Sequence, residues 1–269
     1  MNDANQKLSK EGLANLAIDP DLLARELAAQ LAGDTLDELE LDKADEDLVN
    51  SSKKCDIALK WLQSGNEERL QGLRVFCEHR DSRALPLLVP LLDEPSPVVR
   101  MSAVYALGRN PCPQAIDLLL HLLRFDSNAY VRKATAWSLG NYSNAPVLEP
   151  LINALKQDVA AVRLWASSSL AEVGLNSLES SLPAANQLLE SLHIDGEPLV
   201  RSNCIWSLGR LYIHLSEEIK SQIVEAFISV LLNDREPSVR YEARTALEQL
   251  ENKEVQKKLK SLIDDGLLV

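Results

Sequence analysis

Aromatic residues are scarce, at 4% of 269 residues, and alanine and leucine dominate the apolar set, a balance that suits an all-helical chain. No apolar run approaches the roughly 18 residues of a membrane span. The N-terminus lacks a basic region followed by an apolar one, and an Arg- and Ser-rich, acid-poor leader is also missing, so a cytoplasmic location is expected. The four cysteines, Cys55, Cys77, Cys112 and Cys204, lie far apart with no C-x-x-C, which argues against a zinc knuckle and against a disulfide framework. Basic charge is short too: the net charge is −12, with 13 acids against 4 bases in residues 1–50, giving −9, and −3 for the remainder. Non-specific nucleic-acid binding needs a basic stripe, and none is evident. There is no Gly-rich phosphate loop and no G-x-S-x-G. His121, His193 and His214 share no ligand spacing. No catalytic residue is therefore nominated.

What is present is a repeat. Val131-Arg132-Lys133-Ala134-Thr135-Ala136-Trp137-Ser138-Leu139-Gly140 recurs in altered form from Val99-Arg100, Val162-Arg163, Val200-Arg201 and Val239-Arg240, with a degenerate copy from Arg69. Counted from the arginine, offsets 3 and 6 are small and offset 7 is mostly leucine. These offsets share one helical face, and small residues there let another helix come close. The arginines are spaced by 31, 32, 31, 38 and 39 residues, a period that marks a stacked array of helical units.

In chain order, residues 1–20 are expected to be poorly ordered and Asp21–Leu31 to form a short amphipathic helix after Pro20. Residues 1–50 are set apart as an acidic N-terminal extension, partly helical or disordered, whose 33–50 stretch is either a helix capping the array or a mobile arm. Residues 51–269 are the array. A helix over 51–63 precedes helix pairs at 84–92 and 97–109, 114–124 and 129–141, 147–156 and 160–173, 182–192 and 198–212, and 217–232 and 237–250. A longer loop is expected at Leu175–Ser181. A polar helix over 253–264 covers the end, since the last unit of a stacked array has no neighbour for its apolar face.

Pro97, Pro198 and Pro237 all stand three residues before the arginine, in the first helical turn, where a missing N–H costs nothing. The same turn is a poor place for a cation, because the helix dipole is positive there. Five repeats put arginine in it, so each needs a compensating acid. Asp126, Asp195 and Asp234 lie six residues before Arg132, Arg201 and Arg240, Asp93 lies seven before Arg100, and Asp158 five before Arg163. A ladder of these pairs is expected, within a repeat or across to the next.

Aspartate in the inter-helix turn followed by Val-Arg opening the second helix resembles HEAT repeats over roughly residues 66–264. The tail Ala-Leu-Gly or Ser-Leu-Gly resembles the short HEAT-like repeat of the phycobilisome-lyase group. Val200–Tyr212 (VRSNCIWSLGRLY) and Val239–Asn252 (VRYEARTALEQLEN) resemble the cyanobacterial HEAT-repeat proteins that partner the A-type iron–sulfur scaffold IscA. The resemblance implies a right-handed HEAT-like α-solenoid of about five to six helix pairs, acting as a protein-binding scaffold. It implies no intrinsic cofactor, but an iron–sulfur cluster held in the complex. The alternative is a lyase or chaperone for phycocyanobilin with a phycobiliprotein subunit as partner. Against it, the Tyr-Tyr-Ala-Ala-Trp-Trp-like segment of such lyases is absent, with Ala136–Gly140 and Ile205–Gly209 as loose relatives. Deoxyhypusine hydroxylase, a HEAT-like enzyme, needs repeated His-Glu pairs, and only a reversed Glu78-His79 occurs here.

In a HEAT array the second helices line the concave side. Offset 5 carries Tyr105, Trp137 and Trp206, offset 2 of the third repeat Trp165, and offset 9 Arg109, Asn141, Glu172 and Arg210. Aromatics flanked by arginine are the residue types that anchor protein interfaces. The candidate binding residues are thus Tyr105, Arg109, Trp137, Asn141, Trp165, Trp206 and Arg210. The competing expectation is that the rings pack between neighbouring second helices. Cys204, at a small offset, is expected in the core. Cys112, in an Asn-Pro-Cys-Pro turn, is expected to be exposed and is the one candidate cluster ligand.

Overall fold

The computed structural model describes residues 41–142, 144–250 and 252–264. The expected disorder over 1–20, the helix Asp21–Leu31 and residues 33–40 of the acidic stretch lie outside the described residues. Two compact units divide the chain, Met1–Lys53 and Lys54–Val269. The described part of the first is helical and belongs to α1 (Leu41–Trp61).

The second unit is a stack of helix pairs. α2 (Asn66–Glu78) follows α1. α3 (Leu85–Leu88) pairs with α4 (Pro97–Arg109), α5 (Ile116–Phe125) with α6 (Ala129–Leu139), and α7 (Leu148–Gln157) with α8 (Ala160–Asn176). α9 (Leu178–Ile194) pairs with α10 (Pro198–Leu211) and α11 (Glu217–Asn233) with α12 (Pro237–Gln249), before the last helix, α13 (Lys253–Asp264). No strand occurs among the described residues. Second helices touch in succession, α2 to α4, α6, α8, α10 and α12, and first helices α5, α7, α9 and α11 do likewise. That is the solenoid expected from the repeat, with five pairs after α1 and α2 and one further helix among the described residues.

Two expected elements differ. The helix over 84–92 is broken into 3-10 turns at Ser82–Ala84 and Val89–Asp93 around the short α3. Pro86 and Pro90 explain this: each removes an N–H and crowds the carbonyl four residues earlier, so a regular α-helix cannot persist. The expected loop Leu175–Ser181 is shorter, because α9 starts at Leu178 and carries Pro183 inside it. The turn before the proline is held by the Ser180 and Ser181 amides, both donated to the Ser177 carbonyl at 3.0 and 2.9 Å. Ser181 Oγ also donates to the Gly174 carbonyl.

First helices bury leucines, and second helices bury small residues and at least one leucine each. Leu119, Leu123, Leu151, Leu155, Ala103, Leu107, Ala134, Leu139, Ala166 and Leu170 are all buried. The small residues set the spacing. A Cβ on Gly140 would come within 2.8 Å of Ser169 Oγ, and one on Gly72 within 3.0 Å of the Ala58 carbonyl. At the far end α13 lays only Val255 and Leu259 onto the array and leaves its other face polar.

The arginines form the expected ladder, and each does two jobs. Arg132 Nη1 donates to the Asp126 carbonyl at 2.8 Å within its own repeat. Its Nε and Nη2 fork onto the two Asp158 oxygens of the next repeat, at 2.8 and 2.7 Å. The same fork joins Arg100 to Asp126, Arg163 to Asp195 and Arg201 to Asp234, at 2.7–2.9 Å. The carboxylates shape the turns as well: Oδ1 of Asp126, Asp195 and Asp234 accepts the amide two residues on, at 2.8, 2.9 and 2.9 Å. One assignment is corrected. Asp93 is exposed and takes no rung; Arg69 reaches Glu94 instead, at 3.1 Å. Glu94 sits six residues before Arg100, the offset that Asp126, Asp195 and Asp234 occupy, so the acid at that register is glutamate. Arg240 bonds the Asp234 carbonyl at 2.6 Å, with no following aspartate rung among the described residues.

Removing one member of a largely buried fork strands the other. Arg132→Ala is expected to cost about 1–3 kcal/mol. Lys156→Ala removes only an exposed contact to Glu190 at 3.6 Å and should cost well under about 1 kcal/mol. Paired thermal melts check this, and equal melting temperatures would remove the ladder from the stability account. Acid tests the carboxylates. The Arg201 fork lowers the Asp234 carboxyl below its ordinary 3.8. At Asp126 burial pushes upward, but the Arg100 fork and the Asn128 amide outweigh it. With folded values depressed, the stabilisation is full above about pH 4 and lost as the pH falls through the folded values. Asp234→Asn should therefore flatten the fall of Tm below about pH 4, measured by melts across that range.

Candidate protein-binding face

The second helices place the candidate side chains at the same offsets of successive, touching helices, so they fall in a row. Tyr105 of α4 and Trp137 of α6 meet with ring centroids 5.4 Å apart and planes tilted by 52°. Trp137 also lies over Gly108, where a Cβ would come within 2.4 Å of its Cζ3. The ring is half-buried. It packs against the neighbouring second helix α4 and stays partly exposed. Trp206 of α10 is half-buried as well, and the Arg210 guanidinium stacks over it at 4.9 Å. Arg210 is in turn held by both carboxylate oxygens of Glu172 on α8. Arg109 and Asn141 are exposed.

Trp165 departs from the row. It is 7% exposed, and its Nε1 meets no acceptor among the described residues. It stands at offset 2, one helical turn before the others, and there the helix turns its side chain inward. Its place at offset 5 is taken by Ser168, which is buried and accepts from Asn203 Nδ2 at 2.7 Å. The same amide donates to Ser167 Oγ at 2.7 Å and to the Leu164 carbonyl at 3.0 Å. The row is therefore interrupted at α8 by a satisfied polar seam. Tyr105 and Trp137 lie on one side of it and Trp206 with Arg210 on the other.

The cysteines do not form a site. Cys112 is 4% exposed, against expectation. Tyr142 explains the burial: its hydroxyl accepts from the Cys112 amide at 3.4 Å and donates to the Leu107 carbonyl at 3.0 Å, closing the turn. Cys204 is buried as expected, and burial pushes its thiol up. Cys77 is pushed up to about 11, by burial first and Glu78 second. A thiol so raised is protonated near neutrality and makes a poor ligand. Among the described residues no group of His, Cys, Asp and Glu is placed to hold a metal ion. No helix of the described residues is long and apolar enough to cross a membrane.

The repeat pattern missed one feature. A groove of about 630 Å³ runs beside Trp206, lined also by Tyr212, Ile213, Lys220 and Glu242. It falls where one repeat meets the next, and no fixed offset marks its members.

With this geometry in hand, comparison is informative. A family model described as HEAT repeats matches residues 56–140, 116–209 and 185–267. The chain belongs to the HEAT-repeat proteins. No curated protein sequence matches it significantly. Among solved structures, the HEAT-repeat chain is similar to the E. coli protein YibA at 20% identity and a TM-score of 0.54, covering 79% of this chain and 76% of that one. A designed armadillo repeat protein in complex with a peptide of four Lys-Arg repeats has 20% identity, a TM-score of 0.53, and coverage of 71% and 97%. The complex of CpcE and CpcF of phycocyanin lyase from a Nostoc species has 22% identity, a TM-score of 0.51, and coverage of 62% and 99%. Identities this low speak for the fold alone. A HEAT-repeat solenoid of this kind is a scaffold suited to binding proteins.

Two glycines at the same offset test the description of the face. Gly108→Ala must displace the rigid Trp137 ring and should destabilise by about 1–3 kcal/mol. Gly209→Ala meets nothing within 4 Å. In a helix interior it should stabilise by about 0.5–1 kcal/mol. Melting temperatures of the two variants, with tryptophan emission reporting Trp137, check both signs.

Proposed function

We propose that the protein is a non-catalytic scaffold that holds a protein partner along its second helices. The observation that carries this reading is the row of half-buried Tyr105, Trp137 and Trp206, edged by Arg109 and Arg210. A globular protein hides such rings when it can, and half-exposed aromatic anchors beside arginine are the usual centre of an interface. The partner we propose is an A-type iron–sulfur assembly protein, IscA, in the cytoplasm. Support for that identity is the resemblance carried by Val200–Tyr212 and Val239–Asn252. The chain's own thiols are not gathered into a ligand set: among the described residues no group of His, Cys, Asp and Glu is placed to hold a metal. In this reading the cluster stays on the partner's own ligands.

A second reading, a lyase or chaperone for phycocyanobilin, has two supports. One is the loose likeness of Ala136–Gly140 and Ile205–Gly209 to lyase repeats. The other is the open groove beside Trp206, which has the room a chromophore edge would need.

Titration of purified IscA-type protein against the intact chain and against Trp206→Ala and Trp137→Ala tests the first reading. Loss of a central anchor should weaken binding by about 2 kcal/mol, roughly thirtyfold, with helicity unchanged. Retained affinity in both folded variants overturns the binding face. Absence of binding by the intact chain overturns the partner. Blue colour kept from added bilin, in place of brown colour seen only with the partner, favours the second reading.

A further inference from the structure

The groove beside Trp206 lies over a glycine that the following helix leaves uncovered. Gly108 and Gly140 are covered by Trp137 and Ser169 of the following helix. Gly209, at the same offset of α10, has nothing within 4 Å of a Cβ built on it. The following helix, α12, borders the space with Glu242, Ala246 and Gln249, and none of them covers Gly209. The space stays open between α10 and α12, with Ile213 beside it at 74% exposure.

The charged residues lining the groove, Arg210, Lys220, Glu217 and Glu242, are unevenly paired. Arg210 is held by Glu172 and stacked on Trp206. Lys220 is bonded to Glu217 at 2.8 Å and lies 5.7 Å from the centroid of the Tyr212 ring. Both cations already have counter-ions. Glu242 does not: it makes no hydrogen bond or ion pair among the described residues, yet it is half-buried. Burial pushes its carboxyl up from its ordinary value. A carboxylate drawn from water without a cation is unfavourable. Folding alone gives no reason to put one here, and an incoming cation would remove the cost.

We infer that this groove takes a lysine or arginine side chain of the protein partner, with Glu242 as its counter-ion and Trp206 and Ile213 against its aliphatic stem. Long basic side chains lay their methylenes on apolar surface while the charged end finds its acid. Residues 51–269 carry only −3 of the net −12, so the specific attraction in the groove falls to Glu242. The inference rests on the second-helix face being the binding surface, and it names what the C-terminal end of that face recognises.

Glu242→Gln gives a clean test. Because the folded carboxyl is raised, the charged form weighs against the native state at neutral pH, and the amide should hold or raise Tm. The probe is a short fluorescent peptide of alternating Lys and Arg, titrated against the full chain by anisotropy at moderate salt. Glu242→Gln should weaken its binding about tenfold. Glu225→Gln, an exposed carboxylate of α11 outside the groove, should change it less than about twofold. Equal weakening by both variants, or none by Glu242→Gln, overturns the inference, since net charge alone would then hold the peptide. If Trp206→Ala still releases the protein partner in that case, the scaffold reading stands without the cation site. If it does not, both fall.

Discussion

A guanidinium in the first turn of a helix faces the positive end of the dipole, and this array places one there in every repeat. For Arg100, Arg132, Arg163 and Arg201 it is tolerated because the next repeat brings an aspartate to the same spot. Arg100, Arg132, Arg163 and Arg201 each fork onto the aspartate of the following unit and bond a carbonyl of their own turn. Each rung thus fixes the inter-helix turn of one repeat and its stacking on the next. Hydrophobic burial between layers is strong but has little direction. The forks are directional, with two parallel bonds in one plane. They set the register in which the small residues of one second helix meet those of the next.

Once register is fixed, the inner and outer sides of the second helices are free to differ. The buried side hardly varies: alanine or another small residue at offset 3, and leucine at offset 7. The other side carries tyrosine, tryptophan, serine and threonine at offset 5. The departures from regularity are the informative part. Serine at 168 interrupts the row with a buried amide–hydroxyl network, and α12 leaves Gly209 uncovered beside an open groove. These departures sit on a scaffold whose buried side does not change beneath them.

The cysteines illustrate the limit of local reasoning. Cys112 sits in a Pro-rich turn, and such turns usually lie in water. Its burial comes from Tyr142, thirty residues away, whose hydroxyl ties the turn to the helix before it. Trp165 shows the same limit from the other side. Large and polar-tipped, it resembles the other tryptophans in sequence, but one turn of helix separates a surface row from the core.

Legible in the sequence alone were the helix pairs, the three Pro-x-Val-Arg starts and the aspartates and arginines of four rungs, though not that each rung runs to the next repeat. Periodicity, proline at the first turn and a recurring charge conflict are local signals, and each repeats often enough to be legible. Helix boundaries near Pro86, Pro90 and Pro183 were less so, because the path there depends on which carbonyls can still find donors. Only the tertiary structure decided which rings remain at the surface, that Glu94 replaces Asp93, and that Glu242 lines an open groove. These depend on distances between residues about 25–40 apart in sequence. A repeat pattern fixes the offset of a side chain on its own helix, whereas its exposure is set by what the next helix happens to carry opposite.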